Sequence, residues 1–195
     1  MSHAVIDREI RVLGIGQVRL LDAGAVVAGS LLMAVCAHVS VPLWFTPVPI
    51  TLQTFGVMLL ALTLGSWRAS AALVLYLIEG VSGMPVFSPH GPGGMAQLLG
   101  ATGGYLMAYP VAALLGGLLA ERFARRNRLA GLICAAVFIE WVVFTGGLLW
   151  LLALTHLSPR AAAGAALLPF IPGEVIKLAA AVAIALRSKL LAASH

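Results

Sequence analysis

The sequence predicts an all-α membrane protein, a six-transmembrane-helix bundle with both termini cytoplasmic. Three observations carry that expectation. Of the 195 residues, 61% are hydrophobic and only 10% charged, with a mean hydropathy of +1.03, whereas a soluble domain carries about a quarter charged residues. The apolar runs are continuous and do not alternate every second residue, which disfavours a membrane β-barrel and leaves helices to satisfy the backbone in lipid. Four of the twelve Lys and Arg residues, Arg122, Arg125, Arg126 and Arg128, stand together between two apolar runs. Cytoplasmic loops collect Lys and Arg, so this cluster fixes the orientation of the chain.

The elements follow in order. Residues 1–22 hold Arg8, Arg11, Arg19, Asp7, Glu9 and Asp22 among Ile10, Val12, Leu13, Ile15, Val18 and Leu20, a mixture suited to a cytoplasmic or interfacial segment lying along a membrane surface. Helix 1 is expected over about Ala23 to Val41. This run exceeds the ~7–15 apolar residues of a signal peptide and is expected to be a retained helix. It pairs small residues at four-residue spacing (Gly24 with Ala28, Ala25 with Gly29, Ser30 with Ala34), which lets a partner helix approach. Pro42, Pro47 and Pro49 then resist a straight helix. Helix 2 ends near Leu64 and is short for the ~20 residues of a full crossing. A basic turn at Arg68 leads into helix 3, about Ala69 to Val81.

Ser82 to Gly104 is rich in Gly and Pro, contains no Lys or Arg, and is expected to lack regular structure; a loop of that length is more often a binding loop than a passive connector. Helix 4 is expected over about Tyr105 to Ala120, ending in the arginine cluster. Helix 5 covers about Leu129 to Leu154, and a loop with His156, Pro159 and Arg160 leads to helix 6, about Pro172 to Leu186. With six crossings and the N-terminus inside, ten of the twelve basic residues face the cytoplasm, all but Arg160 and Lys177; five or seven crossings would place a terminal basic cluster outside. The organisation is thus a 1–22 segment, a 23–187 membrane domain and a 188–195 cytoplasmic tail.

The net charge of +5 is accounted for by topology, so no nucleic-acid partner is expected. Cys36 and Cys134 are widely separated and form no Cys-x-x-Cys, which argues against a disulfide or a metal site. His38, His90 and His156 have no metal-ligand spacing. The glycine-dense Gly91 to Tyr105 stretch lacks the Gly-Lys-Ser/Thr ending that cradles a nucleotide phosphate, so the chain is not expected to hydrolyse ATP. No nucleophile–base arrangement is visible, and the protein is expected not to be an enzyme.

The sharpest local signal is Pro169-Phe-Ile-Pro-Gly-Glu174-Val-Ile-Lys177. Pro172 suits the first turn of a helix, and Glu174 and Lys177, three apart, share one of its faces. A charge at the centre of a membrane helix costs roughly 2.5–3.5 kcal/mol. Two retained charges are therefore either a local ion pair with snorkelling side chains or a substrate site just below the outer surface; the second is preferred, because ionisable groups within a span are functional candidates. Glu79 lies late in helix 3, near enough to its end to be solvated or to serve the site. Glu140, mid-helix 5, is expected to face the bundle interior, with either a structural role or one in substrate or proton handling.

Four segments, Phe45-Thr-Pro-Val-Pro-Ile-Thr-Leu-Gln-Thr54, Gly83-Met-Pro-Val-Phe87, Gly100-Ala-Thr-Gly-Gly-Tyr-Leu106 and Pro172-Gly-Glu-Val-Ile-Lys177, together resemble the BioY family, the biotin-specific substrate-binding membrane subunits of energy-coupling factor transporters. The resemblance implies a six-helix bundle in a bacterial inner membrane that binds biotin near its outer face. It implies as partners a transmembrane coupling subunit and ATP-binding subunits, with biotin as transported ligand and no cofactor. Two positions depart from the family pattern: Glu174 where an aspartate is usual, and Ala101 where a proline is usual. By analogy, Glu174 and Lys177 would meet the ureido N–H groups and the carbonyl or valerate tail, with Gln97, Thr102 and Tyr105 as further polar contacts. Trp44, Phe87 and Tyr105 would wall the apolar rings, and Gln53 would help close the site. The alternative is a stand-alone proton-coupled small-solute transporter, with Glu140 as the proton site.

Overall fold

The computed structural model describes residues 3–123, 127–155 and 158–188, with side chains before Arg19 outside the described ones. Arg125, Arg126, His156 and Lys189 lie outside the described residues. Helix α1 (His3–His38) is followed by a two-stranded antiparallel hairpin, β1 (Ser40–Val41) and β2 (Ile50–Thr51), paired Ser40 to Thr51 and Val41 to Ile50. Then come α2 (Gln53–Leu64), α3 (Ser66–Val81), α4 (Gly94–Leu99), α5 (Gly103–Phe123), α6 (Arg128–Thr155), α7 (Pro159–Ala166) and α8 (Ile171–Arg187).

Several expectations change. The segment expected along the membrane surface at residues 1–22 is helical from His3 and continuous with helix 1; no proline interrupts it before Pro42. The Ser82 to Gly104 stretch, expected to be irregular, contains the short α4, whose Met95, Leu98 and Leu99 sit between glycines. The expected loop before helix 6 folds its alanines into α7, with Ser158 as N-cap accepting from the Ala161 N–H at 3.3 Å. The proline-rich stretch does resist a helix and forms the hairpin instead.

Among the described residues, three segments are long and apolar enough to cross a membrane: Arg19–His38, Gly103–Phe123 and Arg128–Thr155. Large apolar side chains remain exposed along their outer faces, among them Leu31 and Val35 of α1 and Val137 and Trp141 of α6. Lipid is the medium that suits such faces, and the chain is a multi-pass membrane protein. Helix α2 has only 12 residues, about 18 Å at 1.5 Å per residue. Its shortness follows from its place: it packs against α1, α3, α5, α6 and α8. Val57, Met58, Ala61 and Leu62 are fully buried, so protein and not lipid surrounds it, as expected of a helix apolar on every side.

One end of the bundle collects Asp22, Arg68, Glu121 and Arg128. Between α2 and α3 the chain turns at Gly65, whose φ of +83° suits a residue without Cβ. There Glu121, near the end of α5, accepts the Ser66 N–H at 2.7 Å, and Asp22 pairs with Arg68 at 2.7 Å. At the start of α6, Arg128 donates to the Ala185 and Ser188 carbonyls at 2.9 and 2.7 Å, capping α8 with a cation where its dipole is negative. Helix α8 runs away from this end, so its first turns, with Glu174 and Lys177, lie at the opposite one.

Candidate substrate-binding site

Pro172 lies in the first turn of α8, where a missing N–H costs nothing, and places Glu174 and Lys177 on the face turned toward α2. The two are 8% and 9% exposed, and Lys177 Nζ lies 2.6 Å from Glu174 Oε1. A buried pair of this kind survives only if its remaining donors and acceptors are met. Lys177 Nζ also donates to the Thr51 carbonyl at 2.6 Å and to Thr54 Oγ1 at 3.3 Å, while Thr54 Oγ1 donates to Glu174 Oε2 at 2.6 Å. An ammonium has three N–H donors, and these partners occupy all three. The hairpin and the start of α2 thus lock the pair in place.

Glu174 borders a cavity of about 40 Å³ at this end of the bundle. Its polar rim comes from Thr51, Gln53 and Thr54 on the β2–α2 side and from Ser88, Gln97 and Thr102 across it. Gln53 donates from Nε2 to the Tyr76 hydroxyl at 2.8 Å and accepts from Thr51 Oγ1 at 3.1 Å. Gln97 donates to Thr102 Oγ1 at 3.2 Å and accepts from the Gly93 N–H at 3.2 Å, so α4 and the loop before it hold the amide in a fixed direction. Ser88 donates to Ser40 Oγ at 3.3 Å, and Ser40 in turn meets His90 Nδ1 at 2.9 Å.

The apolar wall is aromatic. Tyr105 and Tyr109 of α5 lie one turn apart and both border the cavity with Phe144 and Phe170. Tyr105 meets Phe144 edge-on at 5.8 Å, and Phe144 lies 6.1 Å from Phe170, within the range where such ring pairs attract. Gly147 lets the Tyr105 ring pack directly on α6, since a Cβ there would run into the ring. Trp150 Nε1 donates to the Gly100 carbonyl at 2.9 Å and ties the turn before α5 to α6. The arrangement offers a carboxylate, two primary amides and hydroxyls around rings, and can bind a small polar heterocycle.

The chain matches the BioY family over residues 11–193. The chain belongs to the BioY family. It is 36% identical to the biotin transporter BioY of Thermotoga maritima over 171 residues, 88% of this chain and 95% of the relative. It is 36% identical to the probable biotin transporter BioY of Pyrococcus horikoshii over 156 residues, 80% and 88% of the two chains. Its fold is that of the S-component for biotin from an ECF-type ABC transporter, with a TM-score of 0.80 over 88% of this chain and 92% of that one at 24% identity.

Of the residues singled out from the sequence of this BioY-family chain, Glu174, Gln53, Gln97, Thr102 and Tyr105 border one cavity. Lys177 stands behind Glu174 and does not border it. Phe87 is buried against Tyr76, edge-on at 5.3 Å, and packs on Gly80 outside the cavity lining. Trp44 is 95% exposed, meets Phe45 edge-on in the hairpin loop, and is not part of the cavity lining. Glu79 accepts from Ser30 Oγ between α1 and α3. Glu140 borders a separate cavity. Among the described residues no group of three or more His, Cys, Asp or Glu side chains is placed to hold a metal ion.

Sequence reasoning passed over Thr54, Ser88, Tyr109, Phe144 and Phe170. A signal existed for two of them. Tyr109 follows Tyr105 by four residues and Thr54 follows Thr51 by three, so each shares a helical face or turn with a neighbour already quoted.

Proposed function

We propose that this chain is a high-affinity biotin-binding membrane subunit that mediates biotin uptake, energised by partner ATPase and coupling subunits. The observation that carries the reading is family membership across residues 11–193 together with relatives named as biotin transporters. The chemistry of the cavity agrees with that ligand. Biotin offers two ureido N–H donors, a ureido carbonyl, a thioether ring and a valerate tail. Glu174 supplies the acceptor for the N–H groups, and the amides of Gln53 and Gln97 serve the remaining polar edge. Tyr105, Tyr109, Phe144 and Phe170 face the rings. Lys177 acts through Glu174: its three donors go to Thr51, Thr54 and Glu174, which keeps the carboxylate aimed.

Single small-molecule sites measure about 300–1,000 Å³. A cavity of about 40 Å³ must therefore widen to admit a bicyclic ligand, and the segments that border it without belonging to a long helix, around Val48 and Ser88, are the ones free to yield. The chain crosses the membrane six times with both termini in the cytoplasm of a bacterial cell. The gathering of Arg68, Arg128 and Arg187 at the end opposite the cavity supports this reading, with the site toward the outer face.

Uptake of labelled biotin into vesicles tests the energised-subunit reading. Accumulation that requires added coupling and ATPase subunits is expected. Accumulation by vesicles holding this chain alone, driven by a proton gradient, would favour the stand-alone carrier and overturn it.

A further inference from the structure

Glu140 sits midway along α6, at the border between the buried face of that helix (Ile139, Val143) and its exposed one (Val137, Trp141). It borders a groove between α6 and α8 together with Glu174, and Glu174 and Phe144 border both this groove and the polar cavity. Both Glu140 oxygens are buried, and no N–H or hydroxyl group among the described residues donates to them. The group they meet is the Glu174 carboxyl, with which the Glu140 side chain forms a hydrogen bond. Lys177 has its three donors committed to Thr51, Thr54 and Glu174, and none to Glu140. Two ionised carboxylates only accept hydrogen bonds and repel each other in contact. A hydrogen bond between them therefore needs one proton, which the pair itself must hold.

On the reading that biotin fills the polar cavity, we propose that Glu140 is a positioning residue for biotin: it shares one proton with Glu174 and, through that hydrogen bond, holds the carboxyl group that meets the ligand. Thr54 reaches Glu174 from α2 and Lys177 from α8 itself, while Glu140 reaches it from α6. Held from three helices, the carboxyl cannot swing into the groove. A carboxylate offers about four lone-pair sites, so these contacts still leave acceptor capacity for the cavity that Glu174 borders. An apolar side chain would suit the wall beside Val137 and Trp141 at less cost than a buried carboxyl. The bond to Glu174 is what accounts for an acid there.

The test uses the full chain in lipid nanodiscs, with radiolabelled biotin for affinity and infrared difference spectra for the proton. Glu140→Leu deletes the bond to Glu174 and should weaken biotin binding about tenfold, the effect of one hydrogen bond to an ion-paired group. Glu140→Gln, whose amide N–H donates in place of the shared proton, should stay within about threefold of the parent. The unaltered chain should show the C=O stretch of a protonated carboxyl group that shifts when biotin binds and is missing in Glu140→Gln. Parental affinity in Glu140→Leu, or equal losses in Leu and Gln variants, would overturn the proposal, as would a spectrum without that band. The spectra of the unaltered and Gln proteins decide the matter if the Leu variant misfolds. Absence of saturable biotin binding in the unaltered chain would overturn the biotin reading and this proposal with it, whereas the other failures remove Glu140 alone.

Discussion

Removing the ammonium of Lys177 exposes how the site is held together. Lys177→Met keeps the length and apolar stem of the side chain but deletes three donated hydrogen bonds, to Thr51, Thr54 and Glu174. Glu174, 8% exposed, then keeps the Thr54 hydroxyl as a donor but loses the ammonium. Breaking a buried pair by removing one partner costs about 3–5 kcal/mol, because the other charge stays buried. Both side chains of the pair are only 10% exposed, so solvent screens little of this. Glu174→Gln should cost a similar amount from the other side. The double variant removes both charges together and should therefore cost less than the sum of the singles, with a coupling of about 2 kcal/mol, inside the ~0.5–3 kcal/mol seen for residues in contact. Reversible unfolding in mixed micelles, followed for the four proteins of the cycle, measures this directly. Single variants that add, or a Lys177→Met protein as stable as the parent, would refute the idea that a closed ion-pair network carries the geometry.

Other consequences separate the roles of individual side chains. Thr54→Val deletes the donor to Glu174 Oε2 and should cost about 1–3 kcal/mol of stability and weaken biotin binding about tenfold, or ~1.4 kcal/mol; unchanged calorimetric affinity would remove Thr54 from the network. Gly147→Val drives a side chain into the Tyr105 ring, so binding should fall at least about tenfold with a packing cost of ~1–3 kcal/mol, whereas a variant with parental affinity would show that Tyr105 does not wall the ligand. Trp44→Ala alters a side chain that is 95% exposed, and both stability and biotin affinity should stay within about 0.5 kcal/mol of the parent. A large affinity loss there would mean that the hairpin loop folds over bound ligand.

The parts of the fold written into the sequence are those that rest on continuous hydropathy or on a residue with one strong backbone preference. Pro42, Pro47 and Pro49 mark the break after α1 whatever surrounds them, and the apolar runs of α5 and α6 fix those helices to within a few residues. The unbroken start of α1 was not legible, because charges at Arg8, Arg11 and Arg19 read equally well as surface and as helix. Nor was α7, whose alanines need only a cap at Ser158 to become helical.

The site divides the same way. Glu174 and Lys177 stand out because charge is rare in an apolar chain, so composition alone selects them. Their hydrogen-bond partners do not stand out: Thr51 and Thr54 are ordinary residues until the hairpin brings them across 120 to 126 positions to α8. Trp44 and Phe87 illustrate the opposite case. Aromatic side chains near a polar motif invite a role in stacking, but local packing decides it, and Phe87 fills the space beside Gly80 and Tyr76 while Trp44 points outward. Tyr109 and Phe144 reach the wall through the packing of α5 on α6, and Phe170 from the residue just before α8, a meeting that no linear pattern encodes.

Equilibrium binding of radiolabelled biotin to the purified chain in lipid nanodiscs, set beside Glu174→Gln, tests the central claim most directly. One saturable site per chain is expected, displaced by unlabelled biotin and weakened about tenfold or more by the substitution, the ~1.4 kcal/mol of one lost charged acceptor. Absence of saturable binding in the unaltered chain, or identical affinity in Glu174→Gln, would contradict the account.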